Sequence, residues 1–145
     1  MPDSDKLPLS DEEVALLREL GRANVPFMLV GLAAAVLQGA DAVTKDIDLW
    51  FESIADPRVA EAARKVGATF VRRNDPPLFS GPGLGLRDFR SEYAASIEVG
   101  VTSDTTLRVL PIERVLASKR AAGRPKDKAV IPALEAAIAA IKEST

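Results

Sequence analysis

One stretch, Pro26 to Phe51, constrains the fold more than any other: PFMLVGLAAAVLQGADAVTKDIDLWF. Phe27 to Val30 is a short, continuous apolar run, the pattern of a buried strand. Gly31 ends it. Ala33 to Gln38 reads as a short buried helix that Gly39 can cap. Asp46 to Phe51 then reads as a second strand. Alternation along it puts Asp46 and Asp48 on one face and turns Ile47 and Leu49 toward a core. Two carboxylates this close repel each other, and a divalent metal is the commonest reason for such a pair in an enzyme site. The same alternation also describes any strand with one wet face, so both readings stand at this point.

The flanking sequence supplies the rest of a mixed fold. Ser10 and Glu13 have capping-box spacing, which predicts a helix over about 11–22 with Val14, Leu17 and Leu20 inward and Asn24 as a left-handed stop. Asp56-Pro57 opens a helix that Gly67 closes, burying Val59, Ala63 and Val66. Strands are expected near 69–72, 84–89, 95–101 and 107–110, with a long Pro- and Gly-rich loop over 73–85. Pro111 opens a helix with Ile112, Val115 and Leu116 inward, ending at Gly123. A last helical stretch starts near Pro125 and carries Ile131, Leu134, Ile138 and Ile141, with a break expected at Pro132. This order predicts an α/β (α+β) class: a mixed, twisted sheet with helices packed mainly on one face. With 145 residues, a mobile tail over 1–9 and a single domain over 10–145 are expected.

The residue inventory narrows the chemistry. The chain has no cysteine, which removes thiolate metal sites and cysteine nucleophiles, and no histidine, which removes imidazole catalysis and histidine-ligated metals. Chemistry falls to Asp, Glu, Lys, Arg, Ser, Thr and Tyr. A net charge of −2 argues against a broad basic surface for duplex DNA. No apolar run approaches the ~18 residues of a membrane span, so no membrane partner is expected and a cytoplasmic location is the default.

Further candidates lie downstream. Glu98 sits on an alternating strand, Ser96-Ile-Glu-Val99. Paired beside the aspartate strand it completes an acidic triad; otherwise it is an exposed strand glutamate. Lys119, Arg120, Arg124, Lys126 and Asp127 cluster at a helix–loop–helix junction, as a phosphate-contacting group or as a solvated turn. Arg72 and Arg73 are weaker candidates for the same field. Gly31, at a strand end leading into a helix, suits phosphate because free N–H groups gather there. The Gly81–Gly85 run lacks the Lys-Ser/Thr of a phosphate loop and reads as a turn.

Taken in order, LVGLAAAVLQG, TKDIDLW and VLPIERVLASKRAAGRPKD resemble the nucleotidyltransferase superfamily that includes DNA polymerase β. The likeness is greatest to its small bacterial members, the minimal and AbiEii-type toxin nucleotidyltransferases, and covers roughly residues 11–140. The resemblance implies a nucleotidyltransferase fold and transfer of a nucleoside monophosphate from an NTP to a tRNA or protein acceptor, with a toxin role beside an antitoxin partner. It implies one or two Mg²⁺ held by Asp46, Asp48 and Glu98, with Glu98 also a base toward the acceptor. Gly31, the residue at position 32 and Thr44 would border the nucleotide. Lys119 would touch its phosphates, and Asp127 would position Lys119 or act as a second acid/base group. Two positions depart from the pattern. Leu32 stands where the family has Gly or Ser, and Ala42 where many relatives have Arg. These departures motivate the alternative, a non-catalytic binding or regulatory module on the same fold.

Overall fold

The computed structural model describes residues 9–44, 47–53, 55–67 and 86–144. The first helix, α1 (Asp11–Arg22), starts at the expected capping box: the Ser10 hydroxyl accepts from the Glu13 N–H, and the Glu13 carboxylate accepts from the Ser10 N–H. Leu17 and Leu20 are buried and Val14 half-buried. Asn24 takes the left-handed conformation (φ 58°) that turns the chain into β1 (Phe27–Val30), buried at every residue. Helix α2 begins at once, over Gly31–Leu37, two residues earlier than the alanine run suggests. Strand β2 spans Asp48–Phe51.

Helix α3 (Pro57–Lys65) is capped by Asp56, whose carboxylate accepts from the Arg58 N–H. Arg58 also donates to the carbonyls of Ala23 and Asn24, pinning the start of α3 to the end of α1. The strand expected at 69–72, the 73–85 loop, Arg72, Arg73 and the tail residues 1–8 lie outside the described residues.

From Leu86 the structure departs from the sequence reading. Of the strand expected near 84–89, residues 84 and 85 lie outside the described residues and Leu86 forms a single β-bridge, but Phe89 already belongs to helix α4 (Phe89–Ala94), because Asp88 accepts from the Ser91 N–H and so caps a helix. Strands β3 (Ile97–Thr102) and β4 (Thr105–Val109) follow, then α5 (Ile112–Ala122), which stops at Gly123 in the left-handed region. Helix α6 (Pro125–Glu143) runs unbroken through Pro132. Pro132 is exposed, so water can take the Lys128 carbonyl that it leaves unpaired.

The strands form one sheet in the order β2-β1-β4-β3. β1 pairs antiparallel with β2 and parallel with β4, while β3 and β4 form an antiparallel hairpin. The fold is thus α+β, with a four-stranded mixed sheet and six helices among the described residues. Register and alternation sort the faces. Phe27, Leu29, Leu49, Phe51, Leu107 and Val109 share one face; Met28, Val30, Asp48, Trp50, Glu98 and Arg108 share the other. Helix α1 meets the first face through the Arg18–Thr105 hydrogen bond, and α4 meets the second where Phe89 packs edge-on against Trp50. Helices therefore lie on both faces of the sheet. Among the described residues no helix is long and apolar enough to cross a membrane.

Candidate functional site

The site is built where β1 ends. Gly31 has φ +70°, a conformation that side chains rarely adopt. It is also closed to a side chain by a neighbour: a Cβ there would stand 3.0 Å from Asp48 Oδ2. The pairing Val30↔Asp48 makes this contact, because it places the first residue of β2 beside the strand-to-helix turn. Asp48 is exposed, and no described residue hydrogen-bonds its carboxylate. Its partner in the sequence pattern, Asp46, lies outside the described residues.

The second half of the site comes from the α5–α6 junction. Asp127, the third residue of α6, is only 1% exposed. Its carboxylate accepts from the Arg124 backbone N–H (3.1 Å), Arg124 Nε (2.6 Å) and Arg124 Nη2 (3.1 Å), and pairs with Lys119 Nζ at 3.4 Å. Gly123 makes this possible: its left-handed turn, with its N–H donating to the Lys119 carbonyl, folds α6 back beside the last turn of α5. Burial alone pushes the Asp127 carboxyl up. The hydrogen bonds from Arg124 and the Lys119 charge outweigh it, and the group lies below its ordinary value. Arg124 is held above its own ordinary value, first by the hydrogen bonds to Asp127, against burial, and then by the charges of Asp127 and Asp48. The Arg124 end of the α5–α6 cluster thus lies within electrostatic range of Asp48.

The structure sorts the expected site residues into three groups. Gly31 and Asp48 meet directly, and Arg124 brings the Lys119–Asp127 pair into electrostatic range of them. Both oxygens of the Asp127 carboxylate are engaged, one by Arg124 Nε and the other by Arg124 Nη2 and Lys119. Thr44 is half-buried in the segment entering β2. Leu32 turns onto the hydrophobic core, which explains an apolar residue after the glycine, and Ala42 is half-buried.

Glu98 is not brought to this site. It lies on β3, and β3 pairs with β4, leaving β4 and β1 between it and β2. Three strand spacings separate the two edges, about 14 Å. The sequence gives Glu98 the right alternation but says nothing about which strand lies beside it. At the far edge Glu98 is exposed and accepts from the Thr106 hydroxyl, on the rim of a separate groove with Arg90, Tyr93 and Arg108. Among the described residues no three acidic side chains gather as a metal-binding group.

Two arrangements were not anticipated. Arg124, read only as part of a basic cluster, is the member of the junction whose charge reaches Asp48; its i, i+3 spacing to Asp127 is the signal, because it puts the Asp127 carboxylate within reach of the Arg124 backbone N–H and guanidinium. Glu92 is completely buried and bound by Arg87 and Arg114 at 2.9 and 2.7 Å, tying α4 to α5. Comparison with protein-family models, curated proteins and solved structures finds no match to this chain.

Proposed function

We propose that this chain binds a nucleoside triphosphate with Mg²⁺ beside Asp48 and transfers its nucleoside monophosphate to a tRNA or protein acceptor. The observation that carries this reading is an exposed aspartate against a glycine turn, with a Lys–Arg–Asp cluster from the other end of the chain in electrostatic range of it. A nucleotidyltransferase fold and a toxin role beside an antitoxin belong to the same proposal.

Carboxylate oxygens suit Mg²⁺, a hard cation, and the Asp48 carboxylate is exposed with no described residue hydrogen-bonded to it. Asp46 and Asp48 would hold the metal, whose chemistry there is to offset charge on the reacting phosphates. The acceptor oxygen attacks the α-phosphorus, the bond to the β-phosphate oxygen breaks, and pyrophosphate leaves with the electron pair. Lys119 and Arg124 supply positive charge for the leaving phosphates, and Asp127 holds both cations in place. The acceptor's proton passes to solvent water and not to Glu98, which lies on the other edge of the sheet.

That placement of Glu98, with Leu32 committed to the core, favours a second reading: a module that binds nucleotide and does not react it. Calorimetry with Mg²⁺ and each NTP, on the wild type and on Asp46→Ala with Asp48→Ala, tests the binding that both readings share. Metal-dependent binding in the wild type and its loss in the variant are expected; no binding in the wild type overturns both. Transfer of labelled nucleotide to total tRNA or lysate protein then separates them.

A further inference from the structure

Lys119 and Arg124 both reach the buried carboxylate of Asp127, but they are not equally available. The Lys119 side chain is 13% exposed and directs its ammonium at Asp127 Oδ1. The Arg124 side chain is 37% exposed. Its Nε and Nη2 donate to Asp127 along one edge of the guanidinium. A guanidinium carries five donors in a flat fork, so this grip leaves the Nη1 edge unused. No described residue hydrogen-bonds Nη1. Asp48 lies within range of the Arg124 charge, yet the two make no direct ion pair.

We propose that Arg124, rather than Lys119, grips the phosphate chain of the ligand, and that Asp127 is the positioning residue that fixes the guanidinium by one edge and presents the other. Lys119 acts on Asp127: it is the second counter-charge that keeps the buried carboxylate ionised. Two cations against one anion leave the cluster a net positive charge beside Asp48, which suits a polyanion bridging the two. The free edge matches two oxygens of a phosphate chain, so di- and triphosphates bind more tightly than a single phosphate. This inference rests on reading the site as a nucleotide site, and it deepens that reading by exchanging the phosphate-contacting residue.

The test is calorimetry with inorganic tripolyphosphate, with and without Mg²⁺, on the wild type, Arg124→Gln, Arg124→Lys and Lys119→Gln, with an unfolding curve for each. A charge-assisted hydrogen-bond pair sets the expected loss for Arg124→Gln at about 10-fold or more. Arg124→Lys keeps a cation for Asp127 but not the second edge, so it folds like the wild type and does not restore affinity; it carries the test if Arg124→Gln fails to fold. Lys119→Gln should lose clearly less than Arg124→Gln, the difference between losing a remote charge and losing a direct contact. The proposal is overturned if the wild type binds no tripolyphosphate, if Arg124→Lys binds it as the wild type does, or if Lys119→Gln loses as much as Arg124→Gln. Labelled-nucleotide transfer separates this from the parent reading. Wild-type transfer with an unchanged KM in Arg124→Lys overturns the role of Arg124 alone. Tripolyphosphate binding that behaves as expected, without any transfer, supports Arg124 and overturns only nucleotidyl transfer.

Discussion

Glu92→Gln tests the least exposed charge among the described residues. Glu92 is 0% exposed, and its carboxylate accepts from the Arg87 N–H and guanidinium and from Arg114. Burial, the largest single influence, pushes its pKa up, but the two arginines and the Arg87 backbone outweigh it and bring the group from 4.5 down to about 2. That difference corresponds to about 3 kcal/mol of stability at neutral pH. The sign follows from the direction. A lowered folded-state pKa gives stability that is complete above the unfolded value and is lost as pH falls through the folded one. The window therefore runs from about pH 4.5 down to about 2. Glutamine keeps the shape but leaves Arg87 and Arg114 without their shared anion. Both arginines reach water, their side chains being 53% and 30% exposed, so the expected cost sits near 3 kcal/mol, the low end for breaking a buried pair. Urea unfolding of wild type and variant at pH 7, 4.5 and 3 reads it. The gap between the two curves should be near 3 kcal/mol at pH 7 and close as the wild type is acidified. A gap below about 1 kcal/mol at pH 7, or one that ignores pH, refutes the reasoning.

Gly31→Ala should cost about 1–2 kcal/mol from its left-handed φ alone, and its Cβ would press on Asp48 Oδ2, so urea unfolding and Mg²⁺ titration should both worsen. Asp48→Asn removes an exposed charge, and its unfolding midpoint should stay within about 0.5 kcal/mol of the wild type while metal-dependent NTP binding is lost in calorimetry. Asp127→Asn should lose about 2–3 kcal/mol at pH 7, because it strips the shared anion from Lys119 and Arg124. Since the Asp127 pKa is lowered from 3.8, that difference should fade as pH drops below this value in acid unfolding curves. Leu134→Ala, at a fully buried position of α6, should cost about 2–5 kcal/mol by thermal or urea unfolding and leave the Asp48 side of the site chemically intact.

Local chemistry was legible in the sequence wherever one short segment decides the outcome. The Ser10–Glu13 cap, the left-handed Asn24, the Asp56 cap and the Gly123 stop all depend on residues within one turn of each other. The reading failed where two segments compete or a partner is remote. Leu84 to Phe89 has the composition of a strand, but Asp88 caps a helix, and the Phe89 ring finds Trp50 from that helix. Glu92 offers no sequence signal of burial, because its two arginines come from a loop and from α5. A proline in an apolar helical pattern reads as a break, yet at an exposed position it costs one hydrogen bond that water replaces.

Strand order is the level at which the expected acidic triad comes apart, and it changes what the remaining residues must do. Alternation tells which way a carboxylate points, whereas pairing tells which carboxylates meet, and only the first is written in a single strand. With Glu98 on the far side of β4 and β1, Asp48 is the expected metal-binding carboxylate that the described residues place at the Gly31 turn. Within electrostatic range of it lies a cluster with one cation in excess, rigidly built because a buried carboxylate binds both of its members. An acidic edge and a preorganised basic edge, held apart without a direct ion pair, attract each other less than either attracts a ligand that is anionic and carries a cation with it. The proposed metal–polyphosphate complex would be such a ligand: its cation would answer Asp48 and its phosphates would answer Arg124. The separation of the two edges thus argues for a bound Mg²⁺–triphosphate over either a bare metal or a bare anion, and calorimetry in which each component strengthens the binding of the other is the signature expected of it.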